Sequence, residues 1–335
     1  MFSEERSDYV KKSTKILLGT GIAVTGAAVL AALYHYSTKY LLKLALDRKG
    51  PEGVEKNKDK LMSSNDISET MAKVMDAASV LNDMDLEQIE LKGFDGVRLV
   101  GHWYCPENAK RVIVAMHGWR STWAQDFGTI APFWFENDCA VLFAEQRGQG
   151  NSGGEYMGFG LLERYDCRDW ITWVNEKTES KLPIYLGGVS MGATTILMAS
   201  GLDLPDNVKG IIADCGFTSP RAIWKRVVEN NFRIPYGIYD AAARDISKKK
   251  IKEDVNYSTL EALKTCNVPV LFIHGTDDNF VPIEMTYENY KAFGGEKRLF
   301  IVPGAEHGMS YLVDKDGYES AVIDFWNKYD LEHTT

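Results

Sequence analysis

Residues 183–200 read PIYLGGVSMGATTILMAS. The first part of this stretch is apolar and has the length of a buried strand, and the part after Ser190 continues at helical length. Ser190 lies at the junction, inside the pentapeptide GVSMG, which has the pattern GxSxG. A strand, a sharp turn and a helix around such a serine predict an exposed nucleophile. Gly188 and Gly192 provide the room that a tight turn needs.

Short apolar segments on both sides of this stretch predict the rest of a sheet. The predicted strands are Gln88–Leu91, Val97–Tyr104, Arg111–Met116, Cys139–Ala144, Pro183–Gly188, Gly210–Asp214, Val268–His274 and Arg298–Val302. Segments of helical length, such as Glu163–Glu176 and Met191–Gly201, separate the later strands. This alternation predicts an α/β fold with a mostly parallel eight-stranded sheet and helices on both faces. The long aromatic-containing segment at about 216–266 predicts a short helical cap, because bare loops of that length are uncommon.

A serine nucleophile needs a base, and the base needs an acid that orients it. Around a turn of this kind the three residues follow one another in the order serine, acid, histidine. Three histidines follow Ser190, namely His274, His307 and His333. His307 comes directly after the last predicted strand, at the edge of the sheet where α/β proteins place their sites, and it is the predicted base. His274 ends a strand, so we expect it to shape the loop that follows.

The acid belongs to the loop that begins at His274, which contains two neighbouring carboxylates, Asp277 and Asp278. Either of them is compatible with the spacing. The transition state also needs two N–H donors for its oxyanion. The backbone of Met191, directly after the nucleophile, and that of Trp119, in the loop after the third strand, are the predicted donors.

Three aromatic side chains, Trp123, Phe127 and Phe159, are candidates for an apolar substrate pocket beside Trp119. Core packing explains the same residues equally well, because aromatic side chains also dominate protein cores.

The composition excludes several classes of function. Of the 335 residues, 45% are hydrophobic and 25% are charged, as in ordinary globular proteins. The net charge of −9 argues against a nucleic-acid partner, since such partners require a basic surface. The five cysteines contain no CxxC pair, so we expect buried free thiols and no metal site. Acyl transfer by a serine also needs no cofactor.

Residues 16–36 read ILLGTGIAVTGAAVLAALYHY and contain no Asp, Glu, Lys or Arg. About 20 apolar residues suffice for a helix to cross a bilayer. The length favours an uncleaved transmembrane helix over a cleaved signal peptide, and a buried core helix is the weakest alternative. Basic residues flank both ends, so their count does not assign an orientation. We expect membrane lipid as a partner of this helix and a membrane-anchored protein with an extracytoplasmic catalytic domain.

The predicted domain organisation has three parts. Residues 1–47 form the N-terminal segment, 48–85 a polar linker with an amphipathic helix, and 86–330 the catalytic domain. The amphipathic helix rests on apolar residues at helical spacing, which are Ile67, Met71, Val74, Met75, Ala78 and Leu81.

The region from Leu86 to Tyr329 resembles the α/β-hydrolase superfamily. The loop 274–282 reads HGTDDNFVP and is similar to the HGxxDxxVP signature of that superfamily, which implies that Asp278 is the acid. Residues 146–154 resemble its RGHGxSxG loop, although Gln149 stands where histidine is common, and we expect a structural role for this loop. The segment 212–217 is similar to the bacterial esterase and serine-aminopeptidase-like branch, several members of which carry an N-terminal membrane segment and a helical cap.

The resemblance implies a serine hydrolase that cleaves carboxylic esters of small molecules through an acyl-enzyme on Ser190. A serine peptidase or amidase of the same fold is the alternative, but it needs a carboxylate for the substrate amine, which the sequence does not identify. A non-catalytic membrane-tethered scaffold is disfavoured by the complete set of serine, acid and histidine.

Overall fold

The computed structural model describes residues 29–51 and 68–330. Within these ranges the chain forms one sheet of eight strands. The strands are β1 (Glu87–Lys92), β2 (Arg98–Tyr104), β3 (Arg111–Met116), β4 (Cys139–Glu145), β5 (Ile184–Val189), β6 (Val208–Asp214), β7 (Val270–Gly275) and β8 (Lys297–Val302). The predicted mostly parallel eight-stranded sheet is therefore confirmed, with each strand end within two residues of its predicted position.

The strand order across the sheet is β1-β2-β4-β3-β5-β6-β7-β8. Strands β1 and β2 form an antiparallel hairpin, and β2 also runs antiparallel to β4. All other neighbouring pairs, from β4 to β8, are parallel. Because the parallel strands end at one edge, the loops that follow β3, β5, β7 and β8 are brought together there.

Helices cover both faces of the sheet, since successive residues of β3 pack into different cores. Val112 and Val114 face a cluster that contains Trp170, whereas Ile113 faces a cluster that contains Phe325. The helices of the described residues are 29–46, Ser68–Asn82, Trp123–Phe127, Ala131–Glu136, Glu163–Thr178, Met191–Ala199, Pro220–Asn231, Asp240–Ile251, Thr259–Ala262, Ile283–Ala292, Ser310–Val313 and Lys315–Asp330, with a 3₁₀ turn at Tyr236–Ile238.

A third apolar cluster lies outside these two cores. It joins the helix 29–46, here called the N-terminal helix, to the helices Pro220–Asn231 and Asp240–Ile251, here called the inserted helices. Trp119 and Phe159 contribute to the same cluster from loops of the sheet domain. The long segment between β6 and β7 is thus helical and packs against residues near the serine turn.

The helix Ser68–Asn82 packs against the sheet domain through Val74, Ala78 and Leu81, which are buried, while Met75 is 53% exposed. The contact is close, because a Cβ at Gly128 would lie only 2.7 Å from the backbone of Ala77. The predicted position Ile67 lies outside the described residues.

The prediction of a membrane anchor is wrong. Residues 16–28 of the predicted span lie outside the described ranges, but residues 29–36 belong to the N-terminal helix. No helix within 29–51 and 68–330 combines the length and the apolar composition needed to cross a bilayer. The transmembrane helix, the lipid partner and the membrane-anchored, extracytoplasmic localisation are therefore not supported. A physical reason is that the N-terminal helix continues to residue 46 and buries Leu42, Leu44 and Leu46 against protein.

Backbone contacts tie the end of the N-terminal helix to the loop that follows β4. Met157 N donates to Leu46 O at 2.7 Å, and Arg48 N donates to Glu155 O at 2.8 Å. The Arg48 guanidinium also donates to the carbonyl oxygen of Ser152 at 2.5 Å. The segment after the helix is therefore held against the sheet domain and does not extend from it as a tether.

Candidate active site

Ser190 lies in the turn between β5 and the helix Met191–Ala199, with backbone angles of φ 55° and ψ −117°. A residue other than glycine rarely adopts a positive φ, so the turn is strained. Its backbone N–H donates to Asp214 O at 2.9 Å, which fixes the turn to β6. The backbones around this turn also lie so close together that its neighbours must be glycine. A Cβ at Gly192 would overlap the Met116 carbonyl, and one at Gly188 would lie 2.5 Å from Gly192.

One imidazole connects the serine to a carboxylate. His307 Nε2 lies 2.8 Å from Ser190 Oγ, and His307 Nδ1 lies 2.7 Å from Asp278 Oδ2. With the proton on Nδ1, the serine hydroxyl donates to Nε2 and the imidazole donates to the carboxylate. All three side chains are buried. The structure thus brings together the serine, the acid and the histidine that the sequence predicts as one set.

Asp278 is fixed by several donors besides His307. Its Oδ1 accepts from the backbone N–H groups of Phe280 at 2.9 Å and Val281 at 2.8 Å. His274 Nε2 lies 3.1 Å from Asp278 Oδ2, in line with the expected role of His274 in shaping this loop. Burial alone would raise the pKa of Asp278, but the two histidines and their hydrogen bonds outweigh it and hold the pKa well below its usual range. The carboxylate is therefore ionised.

The pKa of His307 is shifted in the opposite direction. Burial acts to lower it, but the Asp278 carboxylate beside the ring outweighs burial and raises the pKa above its ordinary value of about 6.5. Asp214 and Asp126 add negative potential from other sides. Burial raises the pKa of Asp214 itself to about 6, and Ser310 Oγ donates to it at 3.0 Å. The imidazole is thus surrounded by carboxylates that stabilise its protonated form.

The two predicted oxyanion donors lie on either side of Ser190. Met191 is the first residue of the helix that follows the serine, where backbone N–H groups have no acceptor within the helix. The loop that carries Trp119 runs next to the serine, since a Cβ at Gly118 would lie 3.4 Å from Ser190 Cβ. Both backbones are therefore near the carbon that Ser190 would attack.

An apolar cavity lies on one side of Ser190. It encloses about 850 Å³ of empty space, including space open to solvent, and its exposed lining is almost entirely apolar. Its lining residues come from the N-terminal helix, the inserted helices and the loops that carry Trp119 and Phe159. None of the described residues that line it carries a charge. We call it the apolar cavity.

A second cavity lies on another side of the serine and is lined by both Ser190 and His307. Its empty volume is about 860 Å³, and its lining is partly polar. Asp126 and Glu306 contribute carboxylates to this polar cavity. Asp126 also accepts from Gly118 N at 2.6 Å and from Ser121 Oγ at 2.5 Å, which fixes the loop that carries Trp119.

Two of the three predicted pocket residues, Trp123 and Phe127, lie away from both cavities beside Ser190. Trp123 stacks on His102 with 4.2 Å between ring centroids, and Phe127 packs on Trp134 in the core beneath the sheet. Neither lines a cavity that Ser190 lines, whereas Phe159 lines the apolar cavity. The physical reason is that the short helix Trp123–Phe127 turns these rings toward the sheet.

The other residues considered from the sequence also have definite places. His117 is buried, accepts from Gln146 N through Nε2 at 3.1 Å, and so belongs to the loop framework. Asp277 is exposed and accepts from Thr276 Oγ1. His333 lies outside the described residues.

Arg120 is a residue that sequence analysis misses. Its guanidinium donates to Leu44 O at 3.0 Å and to Asp47 O at 2.6 Å, so it caps the carboxyl end of the N-terminal helix. Trp119 Nε1 donates to Ala45 O at 2.8 Å beside it. These partners are more than 70 positions apart in the chain, and no local pattern could have revealed them.

One cluster of the described residues has the donor atoms for a metal ion, namely Cys215, Asp278 and His307. The histidine and the carboxylate are already bonded to each other. Burial raises the pKa of the Cys215 thiol well above its usual value, so the thiolate that a metal requires is disfavoured. The cluster fits a proton-transfer site better than a metal centre.

Comparison with known proteins agrees with this architecture. Residues 107–234 match the family model described as serine aminopeptidase, S33. The chain is 26% identical to the protein YqkD of Bacillus subtilis, over 93% of this chain and 96% of that one. It is 25% identical to YfhR of Escherichia coli K12, over 71% and 80% of the two chains.

The solved structure of the esterase Pf2001 of Pyrococcus furiosus superimposes with a TM-score of 0.59. It shares 20% sequence identity and covers 80% of this chain and 97% of that one. The chain therefore has the α/β-hydrolase fold. The predicted resemblance to the α/β-hydrolase superfamily is confirmed, apart from the N-terminal membrane segment.

Proposed function

We propose that this protein is a serine hydrolase that cleaves carboxylic esters of small molecules through an acyl-enzyme on Ser190. The observation that carries the proposal is the imidazole of His307, which is hydrogen-bonded to Ser190 Oγ on one side and to Asp278 on the other. Such an arrangement is what an alcohol needs to become a nucleophile near neutral pH.

In the first half of the reaction, Ser190 Oγ attacks the ester carbonyl carbon while His307 Nε2 accepts the serine proton. The Met191 and Trp119 backbone N–H groups donate to the oxyanion that forms. His307 then returns the proton to the departing alcohol as the carbon–oxygen bond breaks. Asp278 keeps the proton on Nδ1 and stabilises the imidazolium between these two transfers.

In the second half, water takes the place of the alcohol. His307 removes a proton from this water, whose oxygen attacks the acyl carbon, and returns the proton to Ser190 Oγ as the acid leaves. Each half of the reaction requires a neutral imidazole at its start. Because Asp278 raises the pKa of His307, we expect the reaction to be favoured on the alkaline side of neutrality.

A peptidase or amidase activity is the second candidate, and the match to the serine aminopeptidase family model supports it. An aminopeptidase must bind a protonated amine on the acyl side of the scissile bond. The described residues that line the apolar cavity carry no charge, whereas the carboxylates of Asp126 and Glu306 line the polar cavity. No carboxylate occurs among the described residues that line the apolar cavity, which favours esters whose acyl group enters that cavity.

The test uses the full-length chain, p-nitrophenyl butyrate, leucine p-nitroanilide and a fluorophosphonate probe. We expect the wild type to cleave the ester, to leave the aminoacyl anilide nearly intact, and to be labelled by the probe. Ser190→Ala should lose both ester cleavage and labelling, while Ser180→Ala, at an exposed position outside both cavities, should retain them. A wild type that neither cleaves the ester nor reacts with the probe would overturn the proposal.

A further inference from the structure

We propose that the apolar cavity binds the acyl chain of the substrate, and that the N-terminal helix forms the wall that limits the length of that chain. The inference rests on the proposed ester hydrolysis and adds its substrate class, which is esters of apolar aliphatic acids longer than acetate. It also assigns a substrate-binding role to the N-terminal helix, whose first residues belong to the segment predicted from the sequence as a membrane anchor.

The cavity begins at the nucleophile, because Ser190 is one of its lining residues. A chain attached to Ser190 through its carbonyl carbon can therefore enter the cavity without crossing a protein wall. From Ser190 the cavity extends to the N-terminal helix and to the inserted helices, since residues of all three regions line it. A short acyl group such as acetate would leave most of that space unused.

The chemistry of the wall selects an aliphatic chain. Trp119, Phe159 and Phe217 line the cavity near the hydrolase core, and Trp224 and Val228 line it from the inserted helices. These side chains offer dispersion contacts and no charge. The hydroxyl of Thr38, a polar group on the wall, donates to Tyr34 O at 2.8 Å within its own helix. A charged acyl group would lose its hydration there and find no opposite charge among the described lining residues.

The N-terminal helix supplies one side of the cavity through Thr38, Leu41, Leu42 and Leu44. Thr38 is 2% exposed and Leu42 is 4% exposed, so these positions are packed and not open to solvent. Lys43, on the same helix, is exposed and does not line the cavity.

The N-terminal helix is fixed both to the loop that carries Trp119 and to the inserted helices. Trp119 Nε1 and the Arg120 guanidinium donate to the carbonyl oxygens of Ala45 and Leu44 at its carboxyl end. Tyr34 stacks on Tyr239, next to the inserted helix Asp240–Ile251, with ring centroids 5.8 Å apart. The helix therefore cannot move away from the cavity without breaking contacts with the predicted oxyanion loop, and we treat its side chains as determinants of specificity.

The experiment measures kcat/KM of the full-length protein for p-nitrophenyl esters from acetate to dodecanoate. Each added methylene that enters the cavity should raise kcat/KM by about threefold, until the cavity is filled. Thr38→Trp and Leu42→Trp place bulk on the wall and should lower the ratio of decanoate to acetate activity by about tenfold or more. Lys43→Trp adds the same indole outside the cavity and should leave the wild-type profile unchanged.

The folding of the tryptophan variants is checked by thermal unfolding and by fluorophosphonate labelling of Ser190. Where one of them does not fold, Leu42→Ala replaces it and should move the preferred chain to greater length. The inference is overturned by a wild type that cleaves acetate as well as decanoate, or by folded wall variants with the wild-type profile. If no ester of any length is cleaved and Ser190 is not labelled, the proposed function itself fails.

Discussion

The two cavities that meet at Ser190 differ in chemistry. The apolar cavity is lined by three groups of residues that are distant in sequence, and its described lining carries no charge. The polar cavity is lined by His307 and by the carboxylates of Asp126 and Glu306. An ester has the same asymmetry, with an acyl group and an alcohol on opposite sides of the scissile bond. The proposed acyl binding in the apolar cavity would place the leaving group in the polar one.

The largest expected effect concerns Asp278, which orients His307 whichever acyl group or leaving group is bound. Asp278→Asn should lower kcat by about 10⁴ for short and long esters alike, because the imidazole loses its orienting carboxylate whatever the acyl group. Steady-state rates with butyrate and decanoate esters check this. Asp277→Asn, at the exposed neighbouring position, is the matched control and should retain wild-type rates. A loss confined to one chain length would contradict a shared role for Asp278.

The next effect tests the apolar cavity with substrates instead of variants. The p-nitrophenyl ester of 6-aminohexanoate should have a kcat/KM about 100-fold below that of the hexanoate ester, because its ammonium group would be buried without a partner. The two leaving groups are identical, so the ratio reports the acyl side alone. Equal rates would show that the acyl group does not enter the apolar cavity.

The third prediction concerns pH and the polar cavity. Protonated His307 is inactive as a base, so kcat/KM should fall as the pH decreases through a His307 pKa that is raised above its ordinary value. The Asp126 carboxylate favours the protonated form, so Asp126→Asn should lower that pKa and move the acid limb to lower pH.

The same variant should lower kcat by about tenfold at the optimum, because Asp126 also fixes Gly118 and Ser121. A pH–rate profile measures both effects. Asp324→Asn, at an exposed position on the helix Lys315–Asp330, controls for the loss of one carboxylate. If the acid limb of the pH–rate profile does not move in Asp126→Asn, then Asp126 does not raise the pKa of His307.

The smallest effect concerns the leaving group. A choline ester should be cleaved about three- to tenfold faster than the uncharged 3,3-dimethylbutyl ester of the same acid, since the two carboxylates that line the polar cavity outnumber its one guanidinium, that of Arg120. Added salt should reduce this preference, because exposed charges are screened. Glu306→Gln should reduce it further. A preference for the uncharged ester would place the leaving group elsewhere.

The parts of the fold that follow from local patterns could be predicted from the sequence. The apolar strands and the GxSxG turn depend on residues that are adjacent in the sequence. The positions of β3 to β8 and of the turn at Ser190 therefore agree with prediction. The choice between Asp277 and Asp278 needed a motif, because both fit the spacing. In the structure, only Asp278 of the two is buried beside His307.

The parts that depend on distant contacts could not be predicted. The sequence around an aromatic residue such as Trp123 does not show whether its side chain faces a cavity or the sheet. Val29, Leu30 and Leu33 have the same hydropathy whether they face lipid or solvent. Leu42 and Leu44 pack on partners far along the chain. The caps that Trp119 and Arg120 provide for the N-terminal helix are likewise invisible in local sequence.

The most direct test of the central claim is the mass of the reaction intermediate. Full-length protein is mixed with p-nitrophenyl decanoate, quenched in acid within the first turnover, and analysed by intact and peptide mass spectrometry. We predict a burst of nitrophenol and an added decanoyl group on the peptide that contains Ser190, with neither in Ser190→Ala. Turnover by Ser190→Ala, or an acyl group on another residue, would contradict the assignment of Ser190 as the nucleophile.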